Sequence, residues 1–203
     1  RGFDARTGEL ISSVVYDVGG AQRRNYGPVK IGRGADDQKF AGVFGESVQI
    51  HVHAIRLRTD GDSELAWQHF YGEVYKDEPG VALASHGLVD YDGDGIDEMA
   101  YSVRDPEKNY RSFIRFRAID TGAIKFELAD HWGAGVFQGV GTEKSKGLLA
   151  FRAPKGAIPN GGELSCYLFR DGQAPQLIAS LPAVASCGLA SIDVAGSAEL
   201  LLS

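Results

Sequence analysis

A short pattern recurs four times along this chain: a polar, turn-rich stretch runs directly into a short apolar strand. When Lys39, Glu98, Gly147 and Glu199 are aligned as equivalent positions, the copies lie 59, 49 and 52 residues apart. Such a recurrence indicates repeated structural units, each too small to bury its own apolar surface. The repeat therefore constrains the fold more strongly than any single motif does.

A second pattern lies between these copies, in which two short strands flank a tight turn. It occurs at residues 3–11, 57–67, 116–126 and 168–173. Asp and Gly provide the turn, and apolar residues alternate on either side of it, as in β-hairpins. Gly makes up 27 of 203 residues, about twice the usual share, which agrees with many turns. Together the two patterns predict about four short strands in each unit of roughly 50 residues.

A single four-stranded sheet cannot bury both of its faces, and radial packing of several sheets solves this problem. We therefore expect an all-β fold that is a β-propeller, or a segment of one, with about four-stranded antiparallel blades. An ordinary β-sandwich is the alternative. The expected division is an outer hairpin at 1–24, repeats at about 25–78, 79–132 and 133–186, and a partial repeat at 187–203. Most propellers have about four to eight blades, so we expect a longer chain or assembly to complete this one.

Composition and charge narrow the range of partners. The chain has 27 acidic and 21 basic residues and a net charge of −6, which argues against a nucleic-acid platform with clustered Lys and Arg. Hydrophobic residues make up 43% of the chain, enough for a core. No stretch approaches the roughly 18 apolar residues of a membrane helix, so we expect no membrane span.

The strongest local signal is an acidic loop at residues 90–98. Asp90, Asp92 and Asp94 stand at positions 1, 3 and 5, a glycine at position 6 allows a sharp turn, and the carbonyl of Ile96 follows at position 7. Glu98 at position 9 closes the set. Hard oxygen ligands on a flexible loop are what Ca²⁺ selects. A solvated acidic turn is the alternative, but four carboxylates so close together repel one another unless a cation joins them.

The loop differs from a helix–loop–helix calcium hand. That motif requires Glu at position 12, where this chain has Tyr101, and the residues around Tyr101 have the pattern of a strand. Asp97 is interpreted as an outward-facing neighbour rather than a ligand.

The motif Asp-x-Asp-Gly-Asp-Gly-x-x-Glu running into an apolar strand resembles the calcium loop of FG-GAP/VCBS-type repeats, which occur in integrin α-subunit propellers and in secreted rhamnogalacturonan lyases. The resemblance implies a propeller in which Ca²⁺ staples a loop between blade strands. It carries over Asp90, Asp92, Asp94, Ile96 and Glu98 as metal ligands. The other copies have Ala35, Thr142 and Ala195 near positions that need carboxylates, and we expect those loops to bind no metal.

Histidines and arginines give weaker signals. His51 and His53 share one face of a strand, but no third ligand accompanies them, which favours a half-polar strand face over a metal pair. His86 is interpreted as a hydrogen-bonded strand residue rather than a functional one. Two pairs of arginines alternate on strands and are expected to cover solvent faces; they are Arg56 with Arg58, and Arg115 with Arg117.

Aromatic residues and cysteines leave further alternatives. Five aromatics could form sugar-stacking platforms, but packing between sheets is favoured; they are Trp67, Trp132, Tyr71, Tyr75 and Tyr110. Cys166 and Cys187 form a disulfide in an oxidising compartment or remain two buried thiols. Both possibilities stay open at this point.

The sequence favours a calcium-stabilised module for binding or structural assembly, secreted to the extracellular space or the periplasm. Its partner would be a protein or a carbohydrate bound by loops. The alternative is part of a polysaccharide lyase-like enzyme acting on acidic polysaccharide, with His and Arg in the reaction. A quinone-dependent dehydrogenase segment is a weaker third hypothesis. No Gly-x-Ser-x-Gly nucleophile motif is present, which favours a binding module over an enzyme.

Overall fold

A computed structural model describes residues 2–15, 30–46, 49–58, 61–73, 80–140, 145–190 and 199–202. The strands are β1 (Gly2–Phe3), β2 (Leu10–Ser12), β3 (Lys30–Arg33), β4 (Lys39–Glu46), β5 (Gln49–Arg56), β6 (Glu64–Glu73), β7 (Ala82–Val89), β8 (Glu98–Asp105), β9 (Arg111–Ala118), β10 (Ile124–Ala129), β11 (His131–Val140), β12 (Ser145–Arg152), β13 (Gly162–Phe169), β14 (Gln176–Val184), β15 (Cys187–Ala190) and β16 (Glu199–Leu202). In this part of the chain, helix is confined to three short 3-10 turns at Ala35–Asp37, Pro106–Lys108 and Pro154–Gly156. None of the helical segments in these ranges could span a membrane.

The strands form three four-stranded antiparallel sheets and two smaller pairs. Sheet 1 has the order β3-β4-β5-β6, sheet 2 the order β10-β9-β8-β7, and sheet 3 the order β11-β12-β13-β14. The strand pairs β1-β2 and β15-β16 make up the rest. Each four-stranded sheet is a meander in which strands that are neighbours in the chain are also neighbours in the sheet.

The predicted hairpins are present. Phe3 pairs with Leu10, Arg56 with Glu64, Ile124 with Arg117, and Leu168 with Gln176. In the β9–β10 turn the amide of Gly122, with φ +72°, donates to the carbonyl of Ala118 at 2.9 Å. Glycine suits this turn because residues with a Cβ are strained at positive φ.

Two hydrophobic cores connect the three sheets. In the first, Phe40, Phe44 and Val52 of sheet 1 pack with Met99 and Tyr101 of sheet 2. The second core joins sheets 2 and 3, and it includes Ala100, Ile114, Phe116, Leu148 and Phe169. Every residue of β8 is buried, because adjacent residues of this strand face different cores. The apolar stretch that follows the acidic loop is therefore the central strand of the molecule.

The all-β class is confirmed, but the propeller prediction is wrong. The described strands form three separate four-stranded antiparallel sheets, and none of these is closed or curled into a barrel or a propeller. Strands pair only within their own sheet. The repeat spacing sets how many strands each unit contributes, whereas the arrangement of the sheets depends on long-range packing that the spacing does not encode.

Three earlier expectations fall outside the described residues. Thr142 and Ala195, which stand in two of the loops expected to bind no metal, lie there, and so does Tyr75. The division at 1–24, 25–78, 79–132, 133–186 and 187–203 stays a prediction.

Candidate metal centre

The acidic loop connects β7 to β8 and owes its shape to two glycines and an aspartate. Gly93 and Gly95 have φ values of +78° and +87°, which favour glycine because side chains are strained there. The carboxylate of Asp90 accepts hydrogen bonds from the amides of both, at 2.7 and 3.2 Å. The chain consequently folds back on itself and brings residues 90 and 98 close together.

Three carboxylates converge inside this turn. Asp90, Asp92 and Glu98 each offer an oxygen within 4.8 Å of the others. Among the described residues they are the one group of three or more metal-ligating side chains that meet in this way. We call them the carboxylate triad.

Glu98 is the most constrained member of the carboxylate triad. It is the first residue of β8 and is 0% exposed. Its Oε2 accepts the amide of Tyr91 at 3.1 Å, while its Oε1 has no hydrogen-bond partner among the described residues. The pKa of Glu98 is raised to about 8, chiefly by burial and in smaller part by the charges of Asp92, Asp94 and Asp90, while the Tyr91 hydrogen bond opposes the increase. Leaving a buried acceptor unsatisfied costs about 1–3 kcal/mol, which a cation at this point would offset.

Asp94, a predicted ligand, lies outside the carboxylate triad. Its Oδ1 accepts the amide of Ile96 at 2.8 Å, and its Oδ2 accepts a hydrogen bond from the Lys125 ammonium at 2.9 Å. Burial raises the pKa of Asp94, but these two hydrogen bonds, together with the charges of Lys125 and Lys146, outweigh burial and hold the pKa below its usual value. The hydrogen bond to Asp94 likewise raises the pKa of Lys125. The observed role of Ile96 is its amide bond to Asp94 and packing against the first core.

Asp97 links the loop to sheet 1. Its carboxylate accepts the amide of Arg33 at 2.7 Å, and its own amide donates to the Arg33 carbonyl at 2.8 Å. The Arg33 guanidinium also donates to the carbonyl of Gly95 at 2.7 Å. Asp97 is therefore a connector between two sheets, apart from the carboxylate triad.

The tip of the β13–β14 hairpin packs on the other side of the loop. The amide of Gly172 donates to the Asp92 carbonyl at 2.7 Å. Lys146 of β12 donates to the Asp90 carbonyl at 2.6 Å and pairs with Asp171 at 2.7 Å. A Cβ at position 93 would collide with the Asp171 side chain. The acidic loop is thus held by all three sheets.

The sequence carries no signal for the contacts that Lys125, Lys146 and Gly172 make with the acidic loop. A lysine on an outer strand looks the same in sequence whether it faces solvent or an acidic loop. The sequence predicts a hairpin turn at 168–173, but the position of this turn against the acidic loop depends on the packing of sheet 3 on sheet 2.

The donor set fits a hard cation. All three members of the carboxylate triad offer oxygen, the ligand type that Ca²⁺ prefers. One of them has a buried oxygen that lacks a hydrogen bond within the described chain. The carboxylate triad could therefore hold a metal ion.

The histidines do not form a second centre within the described residues. His51 and His53 are both buried, and their rings stack at 5.2 Å between centroids. No third metal-ligating side chain meets them in the part of the chain that the structure describes. His86 bonds the Ser102 hydroxyl at 2.7 Å through Nε2, and burial lowers its pKa to about 4. These findings agree with strand residues rather than a metal pair.

The expectation that Arg115 faces solvent is wrong. Arg115 is 3% exposed and pairs with Asp105 at 2.6 Å and with Glu127 at 2.6 Å. It also donates to the hydroxyl of Tyr71 at 3.2 Å. Arg117 is half-buried and donates to the hydroxyl of Tyr101 at 2.7 Å. Alternation along β9 places these arginines on one face correctly, but sheet 1 covers that face.

The described aromatic residues and the two cysteines pack in or against hydrophobic clusters. Four of the five aromatics pack in or against the cores, as favoured; they are Trp67, Trp132, Tyr71 and Tyr110. Cys166 and Cys187 are both free thiols. They pack against the same small cluster, which contains Leu149 and Val184.

Comparisons with known proteins show the fold and little else. No family model, including those of FG-GAP and VCBS repeats, and no curated protein sequence matches the chain. Among solved structures, the rhamnogalacturonan lyase YesW matches with a TM-score of 0.55 and 13% identity, over 87% of this chain and 40% of that protein. The exotype rhamnogalacturonan lyase YesX matches with a TM-score of 0.54 and 12% identity, over 87% and 38%. The chain therefore spans about two fifths of the length of the lyases with which it shares an all-β fold.

Proposed function

We propose that this chain is a calcium-stabilised all-β module of a secreted or periplasmic protein, and that its metal site is structural. The observation that carries the proposal is the buried Oε1 of Glu98, which has no hydrogen bond within the described residues and lies beside two further carboxylates. Such a group is costly to bury in the absence of a cation. The module would bind a protein or polysaccharide partner through its loops.

The carboxylate triad would hold the ion, with Asp94 and the Ile96 carbonyl as further ligands proposed from the sequence. Calcium supplies the positive charge that offsets the mutual repulsion of these groups. The surrounding side chains act on the loop itself: Lys125 holds Asp94, and Lys146 holds the Asp90 carbonyl. Each of these contacts fixes the path between β7 and β8 and so supports a structural role.

Removal of one ligand tests the proposal. We expect calcium to raise the melting temperature of the wild type relative to a sample in EDTA, because an ion that binds only the folded state stabilises it by mass action. Asp92→Asn should remove most of this increase. Asp62→Asn is the matched control, because Asp62 is exposed and lies outside the acidic loop. Equal melting of the wild type with and without calcium, together with no heat of binding in calorimetry, would contradict the proposal.

A second candidate is part of an enzyme that acts on acidic polysaccharide. The observation that favours it is the similarity to two rhamnogalacturonan lyases over 87% of the chain. Its test is the release of unsaturated products from rhamnogalacturonan in the presence of calcium. Product formation by the chain would establish the enzyme, whereas calcium-dependent melting without turnover would leave the structural module as the function.

A further inference from the structure

We propose that Lys125 weakens calcium binding by competing, as a cation built into the chain, for the carboxylates of the acidic loop. The inference rests on the proposed calcium site and deepens it, because it assigns the residue that sets the affinity. It follows from where Lys125 is held and from what its ammonium contacts.

Both the backbone and the side chain of Lys125 contact the acidic loop. Its backbone carbonyl accepts a hydrogen bond from the Tyr91 hydroxyl at 3.1 Å. Its ammonium lies 2.9 Å from Oδ2 of Asp94 and 3.8 Å from Oδ2 of Asp92. The Lys125 side chain is 34% exposed, so its charge is only partly screened by water. The lysine is therefore a positioned partner of the loop.

The contacts of Asp94 show what Lys125 occupies. One oxygen of Asp94 accepts the Ile96 amide and the other accepts the Lys125 ammonium. A divalent ion that recruits Asp94 would share a carboxylate oxygen with one of these donors, since each carboxylate oxygen has two lone pairs, and the ion would then lie close to the Lys125 ammonium. An ion held by the carboxylate triad alone would instead lie beside a lysine that also faces Asp92. In both cases the charge of Lys125 opposes the ion.

Lys146 differs in the atoms that it contacts. Its ammonium meets the Asp90 carbonyl and the Asp171 carboxylate, and it bonds no carboxylate of the triad. Competition for loop carboxylates is thus a property of Lys125 among the lysines described at this site. Ligand charge tunes calcium affinity over several orders of magnitude, and extracellular modules bind at about 10⁻⁴ to 10⁻³ M. A built-in competitor would place the site towards this weak end.

Calorimetric titration of calcium into Lys125→Met tests the inference. Methionine keeps most of the aliphatic stem and removes the charge, and Lys125→Gln serves as a second neutral variant in case the first does not fold. We expect the neutral variants to bind calcium about tenfold more tightly than the wild type, as removal of one nearby unit charge predicts. Lys125→Arg, which keeps the charge, should stay close to the wild type. Lys108→Met is the control for net charge, because Lys108 is exposed in the β8–β9 connection.

Melting in EDTA gives an independent readout. Without calcium, the neutral Lys125 variants should melt below the wild type, because Asp92 and Asp94 then repel each other unopposed. Saturating calcium should close this gap. If Lys108→Met changed melting and calcium binding as much as the neutral Lys125 variants do, the change in net charge alone would explain the result, and the inference would be overturned.

The outcomes separate the two proposals. Wild type and neutral variants that bind calcium equally well would overturn the role of Lys125 and leave the calcium site intact. If neither binds, both proposals fail. Tighter calcium binding by the neutral variants than by the wild type supports the competition. Calcium binding by the neutral variants with none by the wild type supports it too.

Discussion

Two regions of sheet 2 bury charged groups, and they balance that charge differently. At the boundary with sheet 1, the buried Arg115 meets the carboxylates of Asp105 and Glu127, so cation and anions lie together. At the acidic loop, the carboxyl group of the buried Glu98 instead meets two further carboxyl groups, those of Asp90 and Asp92. The first region is complete within the chain. The second is one that a cation would complete, and this difference is the physical basis for proposing a metal at one region and not at the other.

Loss of Arg115 should have the largest effect and should be independent of calcium. Arg115→Met leaves the buried Asp105 without its ion-pair partner, and breaking a buried pair in this way costs about 3–5 kcal/mol. Denaturant unfolding in EDTA and in calcium should give the same loss. The matched control is Arg111→Met, because Arg111 and Asp130 form an exposed pair, and exposed pairs contribute little to stability. A loss for Arg115→Met that disappears in calcium would mean that the two regions are not independent.

Glu98→Gln should have the next largest effect on stability, and this effect should appear only when calcium is present. We expect about 3 kcal/mol of stabilisation for the wild type when free calcium is about a hundredfold above its Kd, and almost none for the variant. In EDTA at pH 7 the variant should match the wild type, because a pKa of about 8 keeps Glu98 largely protonated. Unfolding curves with and without calcium measure both effects. Full stabilisation of Glu98→Gln by calcium would remove Glu98 from the site, and Glu107→Gln provides the control.

His86 makes the folding stability depend on pH, and this contribution comes from neither of the two regions. Its pKa falls to about 4 in the folded state, from about 6.5 in the unfolded chain. The unfolded state therefore takes up more protons between these values, so the associated stability is present above pH 6.5 and is lost as the pH falls towards 4. From pH 6.5 to 5 the loss is about 2 kcal/mol or less. His86→Gln should flatten the pH profile of stability, while the similarly lowered pKa of His53 maintains part of the slope. An unchanged profile would contradict the assignment.

The smallest effect on stability is expected for Asp171, which pairs with Lys146 at the edge of the acidic loop. The Asp171 side chain is 75% exposed, and such exposed pairs contribute about 0.2–1 kcal/mol. Asp171→Asn should therefore change stability by about 0.5 kcal/mol or less and leave calcium stabilisation intact. Chemical denaturation in calcium measures the change. A loss as large as that of Glu98→Gln would show that Asp171 belongs to the metal site.

Local patterns predicted what depends on neighbours in sequence. Alternation and turn residues predicted the hairpins, and the spacing of Asp90, Asp92 and Glu98 anticipated three side chains that the structure brings together. Contacts between sheets were beyond these patterns. The sequence predicts that Asp94 ligates an ion, but in the structure Asp94 accepts a hydrogen bond from Lys125. Lys125 lies 31 residues further along the chain. Arg115 was placed on the correct face of β9, yet the covering sheet made that face an interior. The arrangement of the sheets was missed for the same reason.

The carboxylate triad is local in sequence, since its members lie within residues 90–98 on one hairpin. Closing so short a loop costs little chain entropy, and contacts of low sequence separation form early in folding. The pairing of β7 with β8 is therefore enough to bring the three carboxylates of the site together. Interactions already present in the transition state accelerate folding, whereas those formed later chiefly slow unfolding. Calcium would then act as a folding nucleus for β7 and β8, the strands on which both cores assemble.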